Sequence, residues 1–317
     1  MDNSIIVPIF NAEETLFAVM MRLLEELPKN SEIIVVDDCS TDNSSAIAKQ
    51  FPIQLIQQEI NQGPSAARNR GAQIARGVNL IFVDSDVELE KGALQNMLNA
   101  LAQHPEILGI NGLPSEKIPY SDWASNYVNL SLVYQLVHHG ERVNTCFTSL
   151  CLLKKETWKK MGGWDEGQVG RYVDDVQTRW FLPQGSILQA QAARFVHHKQ
   201  VSWRGLFRHR FNVGFHFWRG IPKEEKKKNK GFRNLIIHLR YPLNTALALS
   251  CFLLPIFPLF SGLIFIGAVL NNLGIFVFVL REQGFFRALT VFPLSLLEGF
   301  AFLFGIGWGG LAKYAKH

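Results

Sequence analysis

Formal charge is almost absent from the last quarter of this 317-residue chain. From Pro242 to Leu280 there is no Asp, Glu, Lys or Arg. A helix needs roughly 20 apolar residues to cross a bilayer, so this stretch is long enough for two helices joined by a tight turn near Pro258 to Gly262. A third apolar stretch runs from Ala288 to Leu311, and Glu298 is its one formally charged residue. The length of these stretches argues against a buried helical hairpin in a soluble domain.

Cysteine is also scarce. The four cysteines (Cys39, Cys146, Cys151 and Cys251) show neither CxxC nor disulfide-framework spacing, which argues against a small disulfide-stapled secreted domain and favours a reducing compartment. The N-terminus shows no signal-peptide pattern, because Met1 is followed within a few residues by a strand-like apolar run. We therefore expect the N-terminal region to remain in the cytoplasm.

Positive charge is concentrated just before the uncharged stretch. Between Arg219 and Arg240 the chain carries six further Lys or Arg residues against two Glu. A polybasic segment next to a membrane span marks the cytoplasmic side and attracts anionic lipid headgroups. The alternatives, a solvated loop or a nucleic-acid patch, lack supporting aromatic residues. We predict a catalytic domain over residues 1–218, a basic juxtamembrane segment over 219–241, and a membrane domain over 242–317 with three transmembrane helices. The alternative for the third apolar segment is a re-entrant helix or a helix that lies along the membrane interface.

The N-terminal region alternates strand-like and helix-like patterns. The helix-like segments have apolar residues at helical spacing and lie between short, continuous apolar runs, which predicts an α/β fold with a mostly parallel, doubly wound sheet. The pattern becomes less regular after residue 106, with an amphipathic stretch from Trp123 to Val137. The predicted strands are Ser4–Phe10, Glu32–Asp38, Gln54–Gln57, Asn79–Val83, Ile107–Asn111 and Cys146–Leu153, and the predicted helices are Glu13–Leu27, Ser44–Gln50, Gly63–Ala75 and Lys91–Ala102.

Acidic residues follow two of the predicted strands. Asp37-Asp38 ends one apolar run and Asp84-Ser85-Asp86 ends another, while Asp174-Asp175 occurs later, near glycines. In open α/β sheets, ligands bind outside the carboxyl ends of the strands. An Asp-x-Asp pair at such a position suits a hard divalent cation, which usually shares its oxygen ligands with substrate phosphates. The layout indicates an enzyme that handles a nucleoside diphosphate.

Each of these residues also has a purely structural interpretation. Asp38 and Asp42 are suitable caps for the following helix. Asp84 and Asp86 are also compatible with a surface turn, and Asp175 has Arg179 at the i,i+4 spacing of a helical ion pair.

Five sequence blocks, in order, resemble family 2 glycosyltransferases. They cover roughly residues 4–215 and are Ser4–Leu16 (SIIVPIFNAEETL), Ile33–Asp42 (IIVVDDCSTD), Asn61–Gly71 (NQGPSAARNRG), Phe82–Asp86 (FVDSD), and Gly162–Glu166 (GGWDE) together with Val173–Asp175 (VDD). The resemblance implies a GT-A fold and an inverting transferase that depends on a divalent metal, Mn²⁺ or Mg²⁺.

The same resemblance implies roles for individual residues. It implies Asp175 as the catalytic base, Asp86 and His197 as metal ligands, and a UDP-sugar as the favoured donor. The acceptor would be a lipid or lipid-linked molecule at the cytoplasmic face of a bacterial inner membrane, in glycolipid or cell-envelope polysaccharide biosynthesis, with no nucleic-acid partner. The implied nucleotide-sugar contacts are Pro8, Phe10, Asn11, Asp38, Arg68, Asp84, Ser85 and Asp86.

Two departures from the family pattern limit the comparison. Asp174 replaces the glutamate that often precedes the base, and the Gln-Arg-x-Arg-Trp string of processive members is replaced by Phe207–Phe211 (FRHRF). The second change favours transfer of a single sugar over polymerisation. A non-catalytic nucleotide-binding membrane scaffold remains an alternative function. A part in a lipid-sugar transporter, suggested by the ionisable Glu298, is another.

Overall fold

The computed structural model describes residues 1–138, 140–166, 178, 181–216 and 258–314. The chain forms two compact units. The first, called the sheet unit, comprises Met1–Pro119 and Gln135–Lys199; the second, called the helical unit, comprises Tyr120–Tyr134 and Gln200–His317. The predicted basic segment 219–241 and the predicted base Asp175 lie outside the described residues, and the three-part domain division stays a prediction.

Within the described residues, one sheet of nine strands organises the sheet unit. Its order is β3-β2-β1-β4-β8-β6-β9-β5, with β7 paired to β9. The strands are β1 (Asn3–Ile9), β2 (Ser31–Asp37), β3 (Gln54–Gln57), β4 (Asn79–Val83), β5 (Val87–Leu89), β6 (Gly109–Pro114), β7 (Arg142–Val143), β8 (Leu150–Lys154) and β9 (Ile187–His197). The accompanying helices are α1 (Leu16–Glu26), α2 (Ser44–Ala48), α3 (Pro64–Ile74), α4 (Ala93–Gln103) and α6 (Lys155–Lys160).

The predicted α/β class is confirmed, but the sheet is mixed rather than mostly parallel. Strands β3, β2, β1 and β4 are parallel, whereas β8 runs antiparallel to both β4 and β6, and β5 and β7 run antiparallel to β9. A parallel neighbour requires a crossover of about a dozen residues or more. Only three residues separate β4 from β5, so the chain leaves the parallel pattern at that point. The strand predicted from Cys146 begins instead at Leu150.

The core has two layers because side chains on β1 alternate between the faces of the sheet. Ile5, Val7 and Ile9 pack on the side of α1 and α4. Ile6 packs on the side of α3, in a cluster with Trp164. Both faces of the sheet are apolar and covered at β1, which explains why the sequence of this strand is a continuous apolar run.

The helical unit contains all but the last three residues of α5 (Trp123–Val137). Its other described helices are α7 (Trp203–His216), α8 (Pro258–Gln283), α9 (Phe285–Ala288) and α10 (Val291–Tyr314). The stretch predicted as amphipathic is helix α5, but it is not amphipathic, because Ser125, Asn126 and Asn129 are buried together with its apolar residues. The turn predicted at Pro258–Gly262 is instead the first turn of α8, a position that proline favours.

One ion pair at the amino ends of the strands offers a test of the sheet unit. The Glu32 carboxylate accepts hydrogen bonds from Ser4 Oγ (2.7 Å), Arg76 N (2.7 Å) and Arg76 Nε (2.9 Å). Burial by itself raises the pKa of Glu32, but the bonds from Ser4 and Arg76 and the charge of Arg76 outweigh it and hold the pKa below its ordinary value. A depressed folded-state pKa contributes stability above the unfolded-state pKa and loses it as the pH falls through the folded value.

We expect Glu32→Gln to lower the free energy of unfolding by about 1–3 kcal/mol at pH 7, the usual range for hydrogen bonds to a charged group. The difference from the wild type should shrink as the pH falls below about 4, where the unfolded-state carboxyl takes up its proton. Urea unfolding at pH 7 and at low pH measures the loss of stability and its dependence on pH. Glu25→Gln, which removes an exposed partner of Arg22, is the control and should change stability little at either pH. An equal loss at both pH values for Glu32→Gln would contradict the assignment.

Candidate active site

The carboxyl ends of β1, β2 and β4 lie side by side, because β1 pairs in parallel with both neighbours. The residues that follow these strands therefore emerge at one edge of the sheet. Phe10, the first residue after β1, is 40% exposed although it is a large apolar side chain. Pro8 is buried within β1, opposite Val36. An exposed ring at this edge suits stacking against a nucleobase.

Asn11 fixes the turn after β1. Its φ of +50° lies in the left-handed region, which asparagine tolerates better than most residues. Its backbone N–H donates to Ser40 Oγ (3.1 Å), and its side-chain Oδ1 accepts from the Thr41 N–H (2.8 Å). Cys39, in the facing loop, also has a left-handed φ of +66°. The turns after β1 and β2 are thus tied to each other, and the Asn11 side chain takes part in that tie.

Asp38 anchors the loop that leads into α3. Its buried carboxylate accepts hydrogen bonds from Gln58 Nε2 (2.5 Å), Gln62 N (2.8 Å) and Gly63 N (2.7 Å). These three bonds leave one of its four lone-pair positions for a further donor, which is compatible with the implied contact to a base N–H. They also show that Asp38 does not cap the helix after β2.

Asp42 lies one residue before Asn43, the N-cap of α2, and bonds the first residue of that helix. Its carboxylate accepts from the Ser44 N–H (2.9 Å) at the start of α2 and from the Glu13 N–H (3.1 Å). Burial by itself raises the pKa of Asp42, but the bonds from Ser44 and Glu13 lower it below the ordinary value.

Arg68 and Asp84 form an ion pair at the same edge. Arg68 Nη2 lies 2.6 Å from Asp84 Oδ1, with the two side chains 6% and 24% exposed. Helix α3 approaches β1 closely because Gly71 faces Ile6, where a Cβ would lie only 2.6 Å from Ile6 Cγ2. The sequence predicted separate contacts to the donor from these two residues, and the structure brings them together. Their pairing places a guanidinium beside a carboxylate at the carboxyl edge of the parallel strands.

Asp86 faces His197, across the antiparallel pairing of β5 with β9. His197 Nε2 lies 3.5 Å from Asp86 Oδ2, and the adjacent strand register pairs Val87 with His197. Burial by itself raises the pKa of Asp86, but the hydrogen bond and charge of His197, together with the charge of Lys199, hold it below its ordinary value. Asp86 is therefore an anion at neutral pH. Ser85 contributes a backbone oxygen that accepts from Thr15 Oγ1 (2.8 Å).

This pair fits a divalent cation as two of its ligands. Carboxylate oxygen and imidazole nitrogen bind such metals at about 2.0–2.2 Å, and 3.5 Å between the two atoms is within the reach of one ion. The buried His197 Nδ1 has no hydrogen-bond partner within the described part of the chain. The described residues contain no group of three or more His, Cys, Asp or Glu side chains suited to a metal. Water and donor phosphates would therefore have to complete the coordination.

Asn69 forms contacts near the site that were not predicted from the sequence. Its side-chain amide pairs with both backbone groups of Trp164, accepting from N (2.8 Å) and donating to O (2.7 Å), and also donates to Glu166 Oε1 (2.6 Å). Gly163 has a φ of +80°, and a Cβ there would lie 2.8 Å from Asn69 Oδ1. Asn69 thus holds the Gly162–Glu166 block against the helix that carries Arg68. The sequence signal that could have indicated this role is an asparagine in the middle of a predicted helix.

We expect Asn69→Ala to slow the reaction at this site by up to about 10²-fold, because misplacing a reacting group by about 1 Å has that effect. Asn3→Ala is the matched control: Asn3 is also buried and bonds Ser31 and Asn79 through its side chain, but at the amino ends of the strands. Each change should cost about 1–3 kcal/mol of stability. Equal reaction rates for the two variants would show that Asn69 has a structural role only.

The family model described as Glycosyl transferase family 2 matches residues 4–155. Among curated relatives, an uncharacterized glycosyltransferase of Haemophilus influenzae is 35% identical over 107 residues, which cover 33% of this chain and 36% of the relative. Glycosyltransferase GlyG of Streptococcus pneumoniae is 37% identical over 105 residues, which cover 32% of this chain and 34% of the relative. The matches thus span only about a third of these relatives' lengths.

Two solved structures share the fold. The mannosyltransferase PcManGT from Pyrobaculum calidifontis, in complex with GDP-Man and Mn²⁺, has a TM-score of 0.59 at 16% identity, covering 96% of this chain and 87% of its own. TarS 1–349 from S. aureus, in complex with UDP-GlcNAc, has a TM-score of 0.53 at 19% identity, covering 96% and 92%. At such identities the likeness shows the fold alone. Residues 4–155, just under half of the chain, match glycosyl transferase family 2, and the α/β fold of the chain is of the GT-A type.

Proposed function

We propose that the protein is a membrane-bound inverting glycosyltransferase. It moves a single sugar from a nucleoside-diphosphate sugar to a lipid or lipid-linked acceptor at the cytoplasmic face. The observation that carries the proposal is the Asp86–His197 pair at 3.5 Å. Asp86 lies two residues after Asp84, which forms the ion pair with Arg68. Anionic and cationic groups so placed suit a donor with a charged diphosphate. A UDP-sugar is the favoured donor.

The residues at this edge of the sheet have different proposed roles in donor binding. Phe10 offers an exposed ring to the base, and Asp38 retains one acceptor position. Arg68 would contact the diphosphate, and Asp84 would contact the ribose. Asp86 and His197 would hold Mn²⁺ or Mg²⁺, which when bound stabilises the charge that develops on the leaving nucleoside diphosphate.

Asp175 is proposed as the general base. Asp175 would take the proton of an acceptor hydroxyl while the hydroxyl oxygen bonds to the anomeric carbon on the face opposite the diphosphate. The bond from that carbon to the diphosphate breaks in the same displacement, so the nucleoside diphosphate leaves and the configuration inverts. No second carboxylate is needed, because no glycosyl-enzyme intermediate forms. Asn69 holds Trp164–Glu166, the last described residues before the segment that carries Asp175.

Membrane attachment is supported by the helical unit. Among the described residues, two stretches, Phe265–Gln283 and Phe285–Gly305, are long and apolar enough to cross a bilayer by length and composition. The outer face of α8 is apolar, with Ile266, Leu270 and Leu273 exposed, whereas the polar Asn272 is fully buried. Apolar residues outside and polar residues inside are the arrangement expected of helices in lipid.

Detergent-solubilised protein, incubated with Mn²⁺ or Mg²⁺, a panel of UDP- and GDP-sugars and a bacterial lipid extract, tests the proposal. We expect one donor to release its nucleoside diphosphate in a manner that depends on the lipid extract. Nucleotide binding without release for every donor would favour the non-catalytic scaffold. Transport gains no support, because the buried Glu298 is bonded to Tyr127 and Arg210.

A further inference from the structure

A buried polar network joins four helices of the helical unit. Glu298 of α10 is 1% exposed and accepts hydrogen bonds from Arg210 Nε of α7 (2.7 Å) and from the Tyr127 hydroxyl of α5 (2.7 Å). Arg210 Nη2 also lies 2.7 Å from Glu298 Oε1. Ser295 Oγ lies 2.9 Å from both the Tyr127 hydroxyl oxygen and Asn272 Oδ1 of α8.

The ion pair fixes α10 against α7. A carboxylate without its partner is very costly to bury, so Glu298 keeps its position only while Arg210 lies beside it. The two helices also meet two turns further along α10, at Gly305, where a Cβ would collide with the backbone oxygen of Phe211 and lie 2.8 Å from Phe215 N. Helix α10 therefore follows α7 from residue 298 to residue 305.

Helix α7 carries charge that excludes it from the hydrocarbon. Arg204 and Arg208 are exposed, and an arginine within the bilayer core is energetically unfavourable. The Arg204 guanidinium lies 5.1 Å from the ring centroid of Trp203, which is itself exposed. Tryptophan and arginine side chains of this kind favour the membrane–water interface. Only three residues separate α7 from Lys199, the last residue of the sheet unit, so both lie on the same side of a membrane.

We propose that α10 lies along the membrane surface, on the side of the N-terminal domain, and does not cross the bilayer. This inference rests on the proposed membrane attachment and replaces the third transmembrane helix predicted from the sequence. Helix α7 holds residues 298–305 of α10 at the surface. The remaining parts of α10, Val291–Leu297 and 306–314, are about 10 Å and 14 Å long at 1.5 Å per residue. Each is far shorter than the ~30 Å hydrocarbon core. The exposed side chains of Phe304 and Trp308 on α10 meet the lipid.

The consequence is that the C-terminus shares the side of the N-terminal domain, whatever the path of the intervening chain. Two single-cysteine proteins test this, in a background whose four native cysteines are replaced. One carries Lys313→Cys and the other Gln50→Cys, an exposed position of the sheet unit. In sealed vesicles, a membrane-impermeant maleimide should label both from the same side. Labelling of the two from opposite sides would overturn the proposal and leave the membrane attachment intact. Recovery of the protein in the soluble fraction would overturn both.

A cross-linking measurement tests the contact itself. Arg210→Cys with Glu298→Cys should be joined by a short bis-maleimide in native membranes. Arg208→Cys with Glu298→Cys is the matched control, because Arg208 is exposed whereas Arg210 is buried. Absence of a cross-link at 210–298, or an equal yield for both pairs, would contradict the packing of α10 on α7.

Discussion

Asp86→Ala should abolish turnover, lowering the rate of nucleoside diphosphate release by at least about 10³-fold, since a metal supplies several kcal/mol of charge stabilisation in such reactions. Asp86 is the anionic member of the pair with His197, at 3.5 Å. Without it the cation loses a ligand, and the residual activity should no longer respond to added Mn²⁺. Binding of the nucleotide should weaken less, because Phe10, Asp38 and Arg68 remain.

Glu88→Gln provides a matched control for Asp86→Ala. Glu88 lies two residues away in β5 and forms the analogous contact, 2.8 Å to His198 Nε2. Its substitution should leave turnover within a few-fold of the wild type. Most activity remaining in Asp86→Ala, or an equal loss in both variants, would exclude the assigned metal site.

Asp175→Asn should lower the chemical step by about 10²–10⁴-fold, the usual contribution of a general base, while the affinity for the donor survives. Asparagine keeps the shape of the side chain and removes its basicity. Single-turnover kinetics with a saturating donor separate the chemical step from binding. Asp174→Asn is the control, and it should retain the wild-type rate to within a few-fold.

A small effect of Asp175→Asn would have a specific meaning. An acceptor that is already ionised near neutral pH, such as a polyprenyl phosphate, needs no base. That outcome would exclude a hydroxyl-bearing acceptor activated by Asp175. It would leave the donor site unaffected.

Residues within strands and at strand ends were predictable from the sequence. A short apolar run gave β4 with its observed bounds, because a strand buried on both faces must be apolar throughout. The bounds of β3, an edge strand with exposed ends, were also predicted correctly. The acidic residues after β2 and β4 were also found, since parallel strands bring their carboxyl ends to one edge. Asp84 and Asp86 lie there as expected, at the link between β4 and β5.

Contacts between distant segments were not predictable. Asn69 and Trp164 are 95 positions apart, and no local pattern marks a side chain that pairs with a backbone so far along the chain. Glu298 and Arg210 are 88 positions apart. Glu298 alone is an unexplained acid in an apolar helix, and its pairing with Arg210 explains it. The antiparallel placement of β8 was missed for a similar reason, because strand direction depends on the whole connection.

Mass spectrometry of lipids tests the central claim most directly. Lipid extracts are compared from cells that produce equal amounts of the wild type and of Asp86→Ala. We expect a lipid that is present only with the wild type and whose mass exceeds that of a precursor by one sugar residue. The precursor should accumulate with Asp86→Ala. Identical lipid profiles in the two cultures would contradict the assignment of this protein as a glycosyltransferase with a lipid acceptor.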